Sequence, residues 1–113
     1  MVILFFFTIF TAFTAPLKFN LKNSTGYEIS EIYVSPSSSS DPGDDLLGGA
    51  SLQDGKSFTV NINPPGGGKV LYDVLVFDIE DDLYSKFEIP ITDGLVIEFT
   101  LDDLDEEYYD DED

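Results

Sequence analysis

Apolar and polar residues alternate along most of the chain between Leu17 and Leu101. This period of two is typical of strands with one buried face, and Gly, Pro, Asn and Asp repeatedly interrupt it. No stretch keeps a helical period of 3.6 residues, and only residues 44–47 are compatible with a helical turn. The sequence therefore predicts an all-β fold, a small antiparallel β-sandwich of about six strands. The predicted strands begin near Leu17, Tyr27, Phe58, Val70, Leu83 and Leu95.

Two of the predicted strands depart from simple alternation. In the second, the apolar positions shift from Ile29 to Ile32 and Val34, which indicates a β-bulge. The fourth, residues 70–79, is apolar on both faces, which is typical of a central strand, and Asp73 is its exception. The residues of the fifth strand that are expected to point inward are Leu83, Phe87 and Ile89.

The first residues differ from the rest of the chain. Residues 1–14 are almost wholly apolar, and they have the length and the small-residue end of a secretory signal peptide. A membrane span needs about 20 apolar residues, whereas this run stops at Pro16 and Lys18. We therefore expect a signal peptide at residues 1–15, one β-sandwich domain at residues 16–101, and a secreted protein, or a periplasmic one in a bacterium. A retained anchor and a buried first strand are the alternatives, since no Lys or Arg precedes the run.

The composition excludes most catalytic chemistry. The chain has 23 Asp and Glu against five Lys, and it has no Arg, His or Cys. Without imidazole or thiol there is no His-based triad, no Cys nucleophile and no His or Cys site for zinc. The sandwich must also be stable without disulfides. Carboxylate, hydroxyl and phenol groups are the chemistry that remains.

The acidic charge is divided between the domain and its C-terminal end. Residues 102–113 contain nine acids, and this composition predicts a disordered tail. Removing them leaves 14 acids and five Lys on the body, a net charge of −9. Such a field opposes nucleic acid and anionic membranes, and it favours a basic protein surface or a divalent cation. Tyr108 and Tyr109 lie among the tail carboxylates, an environment that suits tyrosine sulfation in organisms with that pathway, although two Tyr in a solubilising tail is the simpler interpretation.

A resemblance covers most of the body, from Leu17 to about Ile91. The chain resembles a set of uncharacterised small exported proteins with the pattern NNTGY-I-ELYVSPS, an acidic DLLG, and a YD pair that opens a long central strand. The resemblance implies a small β-sandwich and export, and it implies no activity. The positions that carry it here are 23–29, 31–36, 45–48, Leu52, Gly55 and Tyr72-Asp73.

Loop carboxylates are the candidate metal ligands. Residues 35–55 form a long loop, and loops of this length in a compact domain are often functional, although a solvated loop is the simpler interpretation. Calcium takes six to eight oxygens, often from such loops, but neither acidic cluster here has the spacing of an EF-hand. We also expect Leu46, Leu47 and Leu52 to fix the loop to the core. The predicted calcium ligands are Asp41, Asp44 and Asp45 in the long loop, and Asp78, Glu80, Asp81 and Asp82 in a turn between two strands.

Two further residues have a possible chemical role. Asn23-Ser24-Thr25 is an acceptor triplet for N-glycosylation in a predicted surface turn, although Asn23 also suits the turn structurally. Asp73 interrupts an apolar strand, and a buried pair of carboxylates is the basis of glycoside hydrolysis. A hydrogen bond from Asp73 to nearby backbone or to a Tyr hydroxyl is the favoured alternative. The sequence therefore predicts a non-enzymatic, secreted, acidic binding module, with a calcium-binding structural domain as the alternative.

Overall fold

The computed structural model describes residues 16–64 and 70–106. They form six strands and one short 3₁₀ turn, as the alternation predicts. The strands are β1 (Leu17–Ser24), β2 (Ile29–Pro36), β3 (Ser57–Ile62), β4 (Leu71–Asp78), β5 (Leu83–Pro90) and β6 (Val96–Thr100), and the 3₁₀ turn is Leu101–Asp103.

The strands form two three-stranded sheets. The first sheet has the order β3-β1-β6, and the second sheet has the order β2-β4-β5. Three of the four strand pairs are antiparallel, which confirms the predicted antiparallel β-sandwich, and β1 and β6 form a parallel pair. At the start of this pair, Gly94 N–H donates to the carbonyl of Lys18 at 2.7 Å, and Asn20 N–H donates to the carbonyl of Leu95 at 2.8 Å.

The core lies between the two sheets. On each strand the alternate side chains of one face are buried, because burial of apolar surface is the main favourable contribution to folding. The strand residues that fill the core are Phe19, Leu21, Val60, Ile97 and Phe99 from the first sheet, and Ile29, Ile32, Tyr72, Val74, Val76 and Tyr84 from the second.

Two irregularities shift the alternation in the second sheet. The predicted bulge in β2 is confirmed, since the register with β4 shifts between Ile29 and Glu31. A second bulge lies in β5, where the register shifts opposite Asp73 and Glu88 has a positive φ of 55°. The prediction that Phe87 points inward is therefore wrong: the extra residue changes the phase of the strand, and Phe87 is 56% exposed.

The long loop between β2 and β3 covers the outer edge of β2. Leu46 N–H donates to the carbonyl of Ile32, and Leu52 and Ile29 exchange two backbone bonds of 2.8 and 2.9 Å. Leu47 and Leu52 are buried as predicted, whereas Leu46 is 40% exposed. The loop is therefore an ordered cover for a sheet edge, and it contains no helical turn at residues 44–47.

The ordered part of the chain continues into the predicted tail. Leu104 bridges Tyr84, and Asp105 N–H donates to the carbonyl of Leu83, so this segment follows the outer edge of β5. Of the predicted tail, residues 102–106 belong to the described structure, where Asp103 accepts a bond from Lys86 of β5 and Asp105 N–H donates to Leu83 of β5. Residues 107–113, with Tyr108 and Tyr109, and the predicted signal at residues 1–15 lie outside the described residues.

Candidate functional site

Asp78 ends β4 and organises the acidic turn into β5. Its side chain is fully buried. One carboxylate oxygen accepts bonds from the backbone N–H groups of Glu80 and Asp82 at 2.9 and 3.0 Å. The other accepts from the Tyr84 hydroxyl at 3.0 Å. Burial, and then this bond, raise the pKa of Tyr84 above its ordinary value. Both carboxylate oxygens of Asp78 therefore accept hydrogen bonds that hold the turn and the start of β5, and Asp78 is a structural residue.

The acids of the long loop lie beside β2. Asp45 accepts bonds from the N–H groups of Ile32 and Leu47, at 2.9 and 3.0 Å, and it joins the loop to the strand edge. Asp41 accepts a bond from Gly43 N–H within its own turn. Asp44 is exposed. Of the three, Asp45 has a structural role that its place in the sequence did not reveal.

The two predicted calcium clusters lie at different places along the second sheet. Asp78 faces Ile29 at the start of β2, whereas Asp45 of the long loop lies beside Ile32 in the middle of that strand. Within residues 16–64 and 70–106, no group of three or more acidic side chains is arranged to hold a metal ion. The hypothesis of an ion shared by both clusters therefore has no support in the fold.

Asn23 is in the interior, and not in a surface turn as the sequence analysis predicts. Its side-chain N–H₂ donates to the carbonyls of Tyr27 and Leu52, at 2.7 and 3.0 Å. Its side-chain oxygen accepts bonds from the backbone and the hydroxyl of Thr25. Because the side chain is fully buried, a glycan on its nitrogen is incompatible with this fold. The side chain instead joins β1 to the cover of β2.

Asp73 has a structural role, which is the interpretation that the sequence favours. It accepts bonds from the hydroxyl of Ser37 at 2.6 Å and from the N–H of Glu88 at 3.0 Å. The carboxylate is half-buried on the outer side of β4, where it stabilises the β5 bulge. It is not a buried acid facing a cleft.

The outer face of the second sheet is apolar, although no further strand or helix of the described residues packs on it. We name it the outer apolar face and define it as Tyr33, Leu71, Leu75, Phe77 and Phe87. Tyr33 stands opposite Leu75 in the register, and its ring meets that of Phe77 edge to face at 6.2 Å between centroids. Leu71 and Phe87 are 40% and 56% exposed. The sequence signal for this surface is that residues 70–79 are apolar on both faces. The central position of β4 in its sheet explains only part of this pattern.

Carboxylates border the outer apolar face. Glu31 accepts a bond of 2.6 Å from the Tyr33 hydroxyl, and this bond, followed by burial and nearby negative charge, raises the pKa of Tyr33 to about 12. Asp73 lies between Leu71 and Leu75 on the same side of β4. Of the described lysines, Lys18 and Lys22 alternate with the buried residues of β1 and so lie on the far side of the sandwich, and Lys56 directly precedes β3 of the first sheet. Lys86 faces Asp103 and the ring of Phe99.

Cavities occur between the two sheets and at their ends. One of about 230 Å³ lies between Val34 and Leu46 on one side and Val60 on the other. One of about 320 Å³ lies at the end of the sandwich near Leu17 and Ile91. Tyr72 lines both, and its hydroxyl is the buried side-chain polar atom, among the described residues, that has no hydrogen-bond partner. Burial raises the pKa of Tyr72.

The chain matches no known family model, no curated protein and no solved structure. The resemblance to small exported β-sandwich proteins therefore stays a prediction. In the residues that the structure describes, no helix is both long enough and apolar enough to cross a membrane.

Proposed function

We propose that the protein is a secreted, non-enzymatic binding module, and that its outer apolar face recognises a basic protein surface. The observation that carries the proposal is the combination on one sheet of bordering carboxylates with apolar side chains that are exposed (Leu71 and Phe87) or half-buried (Tyr33, Leu75 and Phe77). Exposed apolar patches with polar rims mark interaction sites in soluble proteins. Aromatic side chains supply much of the binding energy at such sites.

Charge supports a basic partner in particular. Glu31 and Asp73 are acidic groups of this face, and no lysine of the described residues lies on it. Residues 16–101 carry a net charge of −9. A positive partner is therefore steered toward the molecule, and the apolar side chains then supply contact area.

The test uses a basic amphipathic helical peptide of lysine and leucine as the probe. Backbone NMR shifts of the labelled protein are recorded during titration, and we expect the largest changes at Tyr33, Leu75, Phe77 and Phe87. The substitution Phe87→Ser should weaken binding about tenfold, as expected for an aromatic anchor. Binding should also weaken between low and physiological salt, because added ions screen exposed charges.

Val96→Ser is the matched control, because Val96 is as exposed as Phe87 but belongs to the first sheet. It should leave the affinity unchanged. If shifts spread evenly over the acidic loops, and Phe87→Ser binds as well as the unmodified protein, the attraction is non-specific and the assignment of the face is wrong.

Calcium is the alternative, and we keep it as a proposal for two separate exposed pairs, Asp41 with Asp44 and Glu80 with Asp81, because the described residues contain no group of three acids arranged to hold an ion. A specific ion raises the melting temperature through its binding to the folded state. Thermal unfolding with millimolar calcium should show a rise that millimolar magnesium does not reproduce. Equal curves with and without calcium would end this alternative.

A further inference from the structure

We propose that the open edge of β3 is a second binding site, which takes up an extended, basic peptide segment of another protein as an added strand. This inference concerns a surface away from the outer apolar face, and it does not depend on the function proposed above. It rests on the state of the sheet edges, on the shape of the groove beside β3, and on the charge around that groove.

The edge strands of the molecule differ in how they are protected. In the second sheet, the edge of β2 is covered by residues 45–52, and the edge of β5 meets residues 104–105. In the first sheet, β6 is short and carries Glu98. Natural proteins protect edges in these ways, because unpaired N–H and C=O groups recruit other strands.

Within residues 16–64 and 70–106, β3 has none of these protections. Its six residues, SFTVNI, include no charge and no proline. Its register with β1 runs without a shift from Leu17 opposite Ile62 to Lys22 opposite Ser57, so no bulge twists the edge away. Every second residue of β3 thus directs its backbone N–H and C=O away from β1.

A groove follows this edge. Phe58, Thr59, Val60 and Asn61 line one cavity of about 200 Å³, together with Leu46. Residues 60–63 line the next cavity, of about 230 Å³, again with Leu46. Alternate side chains of a strand point to opposite faces, so a cavity lined by consecutive residues lies at the strand's edge. The two cavities therefore form one groove about six residues long.

The groove fits an extended segment with alternating side chains. Leu46, Val60 and Val34 offer apolar contacts on its inner side, and Tyr72 adds a buried hydroxyl without a partner. The backbone edge of β3 supplies the hydrogen bonds, and the apolar contacts select every second side chain, as in strand addition elsewhere.

Charge indicates the kind of partner. No residue that lines the two cavities is charged, but exposed Asp44 and Asp41 precede Leu46 on the opposite wall. The formal net charge of the whole chain is −18, so a second copy of this chain is repelled. A segment with apolar residues at alternate positions and lysine or arginine between them is complementary to both the groove and its surroundings.

The experiment uses a seven-residue peptide that alternates lysine with valine. Its binding to the full protein is measured by isothermal titration, and amide hydrogen exchange is measured with and without the peptide. We expect slower exchange at alternate residues of β3, those that β1 leaves unpaired. An analogue with N-methyl groups on one edge, which removes the N–H donors of that edge, should bind at least about tenfold more weakly.

Three variants separate the sites. Leu46→Lys places a positive charge in the groove at an exposed position, and it should weaken binding of the peptide. Leu46→Met keeps the side chain's size and should have little effect. Val96→Ser, at an exposed position of β6 that belongs to neither proposed site, should bind the peptide as the unmodified protein does.

The proposal is overturned if the peptide does not bind at millimolar concentration, or if the N-methylated analogue binds equally well. It is also overturned if the gain in protection falls on β6 instead of β3. Protection of the β3 edge in the protein without peptide, together with a dimeric mass in solution, would identify a second copy as the occupant and exclude the basic peptide.

Discussion

Both sheets of the sandwich bury one face in the shared core, but they differ in the outer face and the edges that they expose. The first sheet has a polar outer face, where Asn20 bonds to Thr59 and Ser24 to Glu98, but the edge of β3 is unprotected. The second sheet has covered edges and an apolar outer face. The exposed face of a sheet and its edges are therefore separate surfaces, which can differ in polarity and in protection. We place one proposed binding site on each: a face on the second sheet and an edge on the first.

The Asp78 turn gives the largest expected effect, because it joins β4 to β5 in the second sheet. Asp78→Ala removes the acceptor of three hydrogen bonds in the interior, and we expect a loss of about 3 kcal/mol in the free energy of unfolding. Urea unfolding measures this loss. Glu80→Ala, in the same turn but exposed, is the control and should change stability little. Equal losses for the two variants would mean that the network does not hold the second sheet.

Asn23, in β1 of the first sheet, is like Asp78 a buried polar residue whose side chain joins separate segments. Asn23→Ala leaves the carbonyls of Tyr27 and Leu52 without their donor, so we expect a loss of about 2 kcal/mol in unfolding free energy. Hydrogen exchange should show the cover of β2 opening at Leu52 first. Ser24→Ala is the exposed neighbour for comparison. A variant that unfolds like the unmodified protein would show that the cover holds without Asn23.

The stability of the second sheet at alkaline pH depends on the ionisation of Tyr84. Its pKa in the folded protein is raised above the ordinary 10.0, so its contribution to stability is complete below pH 10 and is lost as the pH rises further. We expect Tyr84→Phe to reduce the slope of stability above pH 10 by up to about 1.4 kcal/mol per pH unit, the value for one proton. Unfolding by urea at pH 7 to 11 measures the slope. A slope in Tyr84→Phe equal to that of the unmodified protein would contradict this role of Tyr84.

Two ion pairs give the smallest expected effect and the closest comparison between the sheets. Lys86 lies 3.0 Å from Asp103 with both side chains largely buried, whereas Lys22 lies 4.0 Å from Glu98 on the exposed face of the first sheet. We expect Lys86→Met to cost about 1 kcal/mol and Lys22→Met almost nothing. Thermal unfolding measures both. A larger loss for Lys22→Met would contradict the view that the first sheet's outer face is merely solvated.

Much of the fold could be predicted, but the candidate sites could be predicted only in part. The alternation in β1 and β3 located the core residues Phe19, Leu21 and Val60, because a half-buried strand has a strict period. The predicted positions of Phe87 and Asn23 are both wrong, because the local sequence pattern does not show long-range contacts. It does not reveal the bulge that reverses which side chains of β5 point inward, nor the interior hydrogen-bond partners of Asn23. Both depend on residues distant in the sequence, such as Asp73 and Leu52.

The sequence by itself determined the class of fold, the absence of His, Cys and Arg chemistry, and the net negative charge. These follow from composition and from the period of the strand, which are local properties. The tertiary structure decided the parallel pairing of β1 with β6, the inward place of Asn23 and Asp78, and which edges are covered. These depend on which strands become neighbours, because hydrogen bonds and burial are satisfied between segments that lie far apart along the chain.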